Sequence, residues 1–178
     1  MALITEETIR NEALHNIAQQ IMIAARTAPK GKGRDTLYIS MADGETIERI
    51  AVKMEEIGER ENAHFFNRDA GNLRQCPVVI FIGTKILSGG LPACGFCGFE
   101  NCSAKNQYTD VPCAFNNIDL GIALGSAVSM ASVYKVDNRI MFSAGRAAIE
   151  LGILPADIKV IFAIPLTATS KSPFFDRK

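Results

Sequence analysis

Apolar residues recur at helical spacing near the start of the chain, where Ile9, Ala13, Ile17, Ile21 and Ala24/Ala25 share a face of a helix running to Ala28. Thr5, followed by Glu6 and Glu7, supplies a capping residue and acidic charge for its positive end. Pro29 and the glycines of PKGKGRD (29–35) stop it. Residues 36–41 then alternate weakly, as a strand does, and Ala42-Asp43-Gly44 is a turn. Ile47, Ile50, Ala51, Met54 and Ile57 predict an amphipathic helix over 45–57, and a further helix is expected over 62–73. PVVIFIG (77–83) is apolar throughout, as a strand covered on both faces is. Residues 118–134 read as a buried helix of small residues. Asp137 or Asn138 caps a second helix to Leu151, stopped by Gly152 with Pro155 beyond. KVIFAIP (159–165) is another buried strand, and 170–178 an extended tail. The pattern predicts an α+β fold in a single domain, 1–178.

One stretch breaks the periodicity. Residues 84–117 show neither helical nor strand spacing and are too long for a structureless loop in a compact domain. They hold four of the five cysteines, Cys94, Cys97, Cys102 and Cys113, with Cys76 standing apart beside Pro77. The stretch reads as an insertion whose order comes from a bound group.

Composition narrows what that group serves. Of 178 residues 48% are apolar and 21% charged, so general disorder is excluded. Nineteen basic residues balance nineteen acidic ones, which leaves no polybasic footprint for nucleic acid or an anionic membrane. The longest uncharged run, 120–134, is too short and too rich in glycine and serine to span a bilayer. Acidic residues early in the chain and the lack of an apolar run there argue against a secretory signal. A cytoplasmic location is expected, where clustered cysteines bind metal or carry redox chemistry more often than they form disulfides.

The spacing is C-x2-C-x4-C-x10-C. Four thiolates suit a cubane, one per iron. The C-G-F-C turn can bring two sulfurs to one centre, with Gly95 and Gly98 leaving backbone N–H groups free to face cluster sulfur. Phe96 and Phe99 are expected to screen the centre, and Pro112 fixes an extended approach for Cys113. A four-cysteine zinc site competes, although zinc modules usually pair two C-x2-C knuckles and only one is present. A thioredoxin-like pair leaves Cys102 and Cys113 unexplained. Cys76 reads as a small core residue.

CGFCGFENC followed by VPC resembles the [4Fe-4S] module C-G-x-C-G-x-x-x-C…C of corrinoid iron–sulfur proteins and related redox subunits. That resemblance implies one cubane held by Cys94, Cys97, Cys102 and Cys113, with a shorter spacing to Cys113 than in most such modules. Residues 21–51, 75–83, 118–141 and 160–178 resemble nitroreductases: helix, A-P-S-x-x-N-x-Q loop, strand, turn and helix, then a strand, the long central helix, and the last strand with its tail. The whole chain resembles prokaryotic proteins described as containing a ferredoxin domain. The nitroreductase likeness implies a three-layer mixed or antiparallel sheet flanked by helices, a homodimer, and FMN at the dimer interface. The sequence departs from that family where flavin is contacted. The N-terminal Arg-x-Ser motif is missing, and Lys30, Gly33 and Asp35 replace the loop's Ser, Asn and Gln.

Lys30, Lys32 and Arg34 on a glycine loop are a candidate cradle for an anion such as phosphate, with Lys171, Arg177 and Lys178 able to add charge, or else a solvated loop. His64, beside Phe65 and Phe66, reads as a partly buried helix residue. No catalytic triad, carboxylate pair or Walker loop occurs. The function expected is one-electron transfer through a [4Fe-4S] cluster to a partner protein or bound cofactor. A metal-pinned structural or sensor module, or an FMN-dependent reductase with an auxiliary cluster, are the alternatives.

Overall fold

In the computed structural model, which describes residues 3–175, the first helix α1 (Glu6–Thr27) buries Leu14, Ala18, Ile21 and Ala25. That stripe is rotated from the expected one. Ile9 lies two and a half turns before Ala18, so it points away from the core and is 45% exposed. Thr5 holds the N-cap position in extended backbone, but its side chain makes no capping bond. Instead the Thr8 hydroxyl donates to the Thr5 carbonyl at 2.7 Å.

A four-stranded sheet forms the middle layer, from β1 (Leu37–Asp43), β2 (Val78–Lys85), β3 (Asp137–Asn138) and β4 (Ile158–Thr167). Its order is β1-β2-β4-β3 and every pairing is antiparallel. The continuous apolar run of β2 serves two cores, because successive side chains leave opposite faces. Val78, Ile80 and Ile82 pack with α1 and with α5 (Ala114–Val133). Val79 and Phe81 pack with α2 (Gly44–Arg60), α3 (Phe65–Leu73) and α6 (Phe142–Glu150). Helices thus cover both faces, as a three-layer α+β fold requires.

Close packing of α6 on the sheet depends on Gly145, where a β-carbon would lie 2.4 Å from the Ile161 carbonyl oxygen. The amphipathic helix buries Ile47, Ile50, Ala51, Met54 and Ile57 as its spacing predicts.

Three expectations are corrected. The small-residue helix α5 starts at Ala114, four residues before 118, because Cys113 already serves as its N-cap. Asp137 and Asn138 do not cap a helix. They form β3 against Thr167 and Leu166, the Asn138 amide is spent on the Val136 carbonyl, and α6 begins only at Phe142. The tail is not simply extended, since Phe174 is buried in the core on the α2 side. Arg177 and Lys178 lie outside the described residues.

Candidate metal centre

Between β2 and α5 the chain forms a lobe, 86–113, containing one short helix, α4 (Cys102–Asn106). Left-handed backbone at Ala93, Gly95 and Gly98 curls the Cys94–Cys97 segment, and the Gly98 N–H closes a turn on the Gly95 carbonyl at 2.9 Å. The Asn101 side chain accepts from the Ala104 N–H at 2.9 Å and so caps α4, which opens with Cys102. Cys113 stands at the N-cap of the twenty-residue α5, whose positive end favours negative charge there.

Cys94, Cys97, Cys102 and Cys113 all line one cavity of about 80 Å³, together with Gly89, Gly90, Leu91, Phe99 and Phe115. All four are free thiols; Cys113 is buried and the others partly exposed. Among the described residues no three His, Cys, Asp or Glu side chains converge as a single-ion site would have them. A tetrahedral zinc with Zn–S of about 2.3 Å holds its sulfurs about 3.8 Å apart. A cubane, bound through one thiolate per iron, has no such requirement. Phe99 lines the cavity as expected. Phe96 does not; it is 70% exposed and stacks on Phe115, centroids 5.5 Å apart, so the screening ring is Phe115.

The cavity's lining includes one carboxylate, Glu100, and the Asn101 amide. Lys105 shares a face of α4 with Cys102, one turn on, and is only 3% exposed. No carboxylate among the described residues pairs with it. Lys105 itself is not among the residues that line the cavity.

The basic loop, where the chain makes a tight turn at Gly31–Gly33, is tied to this lobe. The Lys32 ammonium donates to the Gly90 carbonyl at 3.1 Å. The Arg34 guanidinium donates to the Ser88 and Gly89 carbonyls at 3.2 and 3.4 Å. Lys30 turns the other way and caps the C-terminal end of α1 through the Arg26 and Ala28 carbonyls. Asp35 is committed to Arg26 and to the Leu37 N–H, at 2.6 and 3.0 Å. Lys30 and Asp35, at two of the positions where nitroreductases use Ser, Asn and Gln, and Lys32 and Arg34 beside them are thus engaged with the chain itself.

Two buried residues of α5 complete the attachment and were not singled out from the sequence. The Asn116 amide donates to the Lys85 and Leu87 carbonyls at 2.9 and 2.7 Å, and Asp119 accepts the Gly31 N–H at 2.9 Å. Their signal was present. Cys113, Asn116 and Asp119 recur every third position at the start of the helix, so they share one face.

The remaining candidates fall elsewhere. Cys76 is buried on the α2 side, donates to the Asn72 carbonyl, and burial pushes its thiol up to about 12. His64 is exposed at the start of α3, not partly buried, and so is its neighbour Phe65; only Phe66 turns into the core. His15 donates from Nδ1 to the Asn11 carbonyl at 2.7 Å and meets the Asp43 carboxylate through Nε2 at 2.9 Å.

The layered fold and its order of elements are those of nitroreductases. A nitroreductase family protein from Clostridium novyi NT superposes with a TM-score of 0.61 at 15% identity, over 86% of this chain and 73% of that one. An FMN-dependent nitroreductase from Clostridium difficile R20291 gives 0.55 at 16% identity, over 88% and 76%. An iodotyrosine deiodinase bound to FMN and 3-iodo-L-tyrosine gives 0.62 at 9% identity, over 88% and 79%. These likenesses establish the fold. Residues 109–177 match the family described as "Uncharacterized protein containing a ferredoxin domain (DUF2148)". An Archaeoglobus fulgidus protein named only "Uncharacterized protein" is 42% identical over 98% of this chain and 97% of its own. The chain belongs to this family of ferredoxin-domain proteins. No helix among the described residues is long and apolar enough to cross a membrane.

Proposed function

We propose that the protein is a redox protein that binds one [4Fe-4S] cluster through Cys94, Cys97, Cys102 and Cys113 and passes single electrons to a partner or bound cofactor. The observation that carries this reading is the gathering of four cysteines, supplied by a loop, a short helix and a long helix, around one cavity. Membership of a ferredoxin-domain family supports it. A bound cluster would supply one-electron chemistry. The chain's own part is to hold four thiolates, to keep Phe99 and Phe115 between the centre and water, and to present the positive end of α5 at Cys113.

A second reading, an FMN-dependent reductase with an auxiliary cluster, is favoured by neighbours of this fold described as FMN-dependent or FMN-bound. The commitment of Lys30, Lys32, Arg34 and Asp35 to the chain's own backbone and to Arg26 places it second. A homodimer, as in nitroreductases, and a cytoplasmic location belong to the same proposal. Anaerobic purification with iron, labile sulfide, zinc and flavin analysis tests it. About four irons and four sulfides per chain are expected. Stoichiometric zinc without sulfide sinks the redox reading and leaves a structural module.

A further inference from the structure

The segment Ser88-Gly89-Gly90-Leu91 runs between two sets of groups. A β-carbon on Gly89 would lie 3.6 Å from the Cys113 sulfur, whereas one on Gly90 would lie 3.8 Å from the Arg34 guanidinium and 3.9 Å from the Lys32 ammonium. Three successive carbonyls, those of Ser88, Gly89 and Gly90, are turned to these two cations. A trans peptide is planar, so its N–H points opposite to its C=O. The N–H groups of Gly89, Gly90 and Leu91 therefore face away from Lys32 and Arg34. All three residues line the cysteine cavity, and none of these N–H groups has an acceptor among the described residues. Gly90 adopts a left-handed φ of 66°, as one residue of an anion-binding backbone nest does.

We propose that Lys32 and Arg34 are positioning residues for the metal centre: they hold the 88–90 carbonyls outward so that the N–H groups of Gly89, Gly90 and Leu91 form a hydrogen-bond cradle for an anionic iron–sulfur cluster and raise its reduction potential. This rests on the cluster reading above. Reduction adds negative charge to the centre, so donors and nearby cations stabilise the reduced state more than the oxidised one. The two side chains touch no reacting atom. They act through the backbone they tether and through their own charge.

The test compares the wild-type protein with Arg34→Gln, Lys32→Gln and the double variant, all purified anaerobically, by iron and sulfide content and by spectroelectrochemical titration. Full cluster content with a more negative midpoint is expected, at least a tenfold change in the reduction equilibrium for the double variant, which is about 59 mV for one electron. Arg34→Lys should recover part of the shift. Leu91→Pro removes one cradle N–H while sparing both cations and should move the midpoint in the same direction. Loaded variants at the wild-type midpoint overturn the proposal and leave the cluster reading intact. If Arg34→Gln does not fold, wild-type midpoints in both Arg34→Lys and Leu91→Pro overturn it equally. Wild-type protein without iron and sulfide overturns the cluster reading itself.

Discussion

The buried carboxylate of Asp119 accepts the N–H of Gly31, 88 residues earlier in the chain, at 2.9 Å. This bond joins the long central helix to the basic loop, and the basic loop in turn holds the carbonyls of the cysteine lobe. Removing the acceptor strands a half-buried N–H, which costs about 1–3 kcal/mol. Asp119→Ala should lower the unfolding free energy by that amount in urea titration with the slope unchanged. A midpoint equal to wild type shows that the bond contributes nothing.

Lys105 should behave in opposite ways with and without the centre. In metal-free protein the nearly buried Lys105 has no carboxylate partner among the described residues, so Lys105→Met should leave the melting temperature equal or higher. In loaded protein the same change removes a counter-charge, and iron should be released to a chelator faster than from wild type. Destabilised metal-free protein with unaltered iron release refutes this role.

The two classes of cysteine separate by chemistry. With its thiol pushed up to about 12 by burial, Cys76 is ionised in roughly one molecule in ten thousand at pH 8. Iodoacetamide should leave it unlabelled in native metal-free protein while alkylating partly exposed Cys94, Cys97 and Cys102. Cys76→Ala should keep full iron content and Cys102→Ser should lose it. Loss of iron in the first, or its retention in the second, breaks the four-plus-one division.

A pH dependence follows from His15. Its hydrogen bond to the Asn11 carbonyl and its contact with Asp43 both raise its pKa above the usual histidine value. A raised folded-state pKa gives stability that is complete below the unfolded value, near 6.5, and lost as pH climbs through the folded one. Wild type should melt above His15→Gln at pH 5.5, and the gap should narrow toward pH 9. A gap independent of pH removes the charged form of His15 from the account.

What could be read from the sequence was whatever depends on local pattern. The unbroken apolar run of β2 announced a strand with two covered faces, and the 47-50-51-54-57 stripe announced its helix, because both periods are set by backbone geometry. The cysteine spacing marked four residues that the fold gathers around one cavity, because chemistry that uses four thiolates needs them close in space. Ile9 was misread because the face a helix buries is chosen by its partner, here the alanine-rich α5. Asp137 and Asn138 were misread because a capping residue and an edge-strand residue look alike until β4 arrives to pair with them. The work of Lys32 and Arg34 was hidden for a different reason. Their acceptors are main-chain carbonyls, which every residue carries and no sequence marks.

The position of Cys113 at the head of α5 has a bearing on ancestry and engineering. The other three thiols could be moved with their loop into a different protein, but the fourth belongs to a helix whose body is core, packed along Leu120, Ala123, Leu124 and Ala127 against α1 and the sheet. The lobe is consequently not a portable cassette. Grafting residues 86–112 elsewhere would carry three of the four proposed ligands, and a host could accept it only by already owning a helix that starts in the right place. Gain or loss of the centre over evolutionary time would thus have to pass through the scaffold, not merely through the loop.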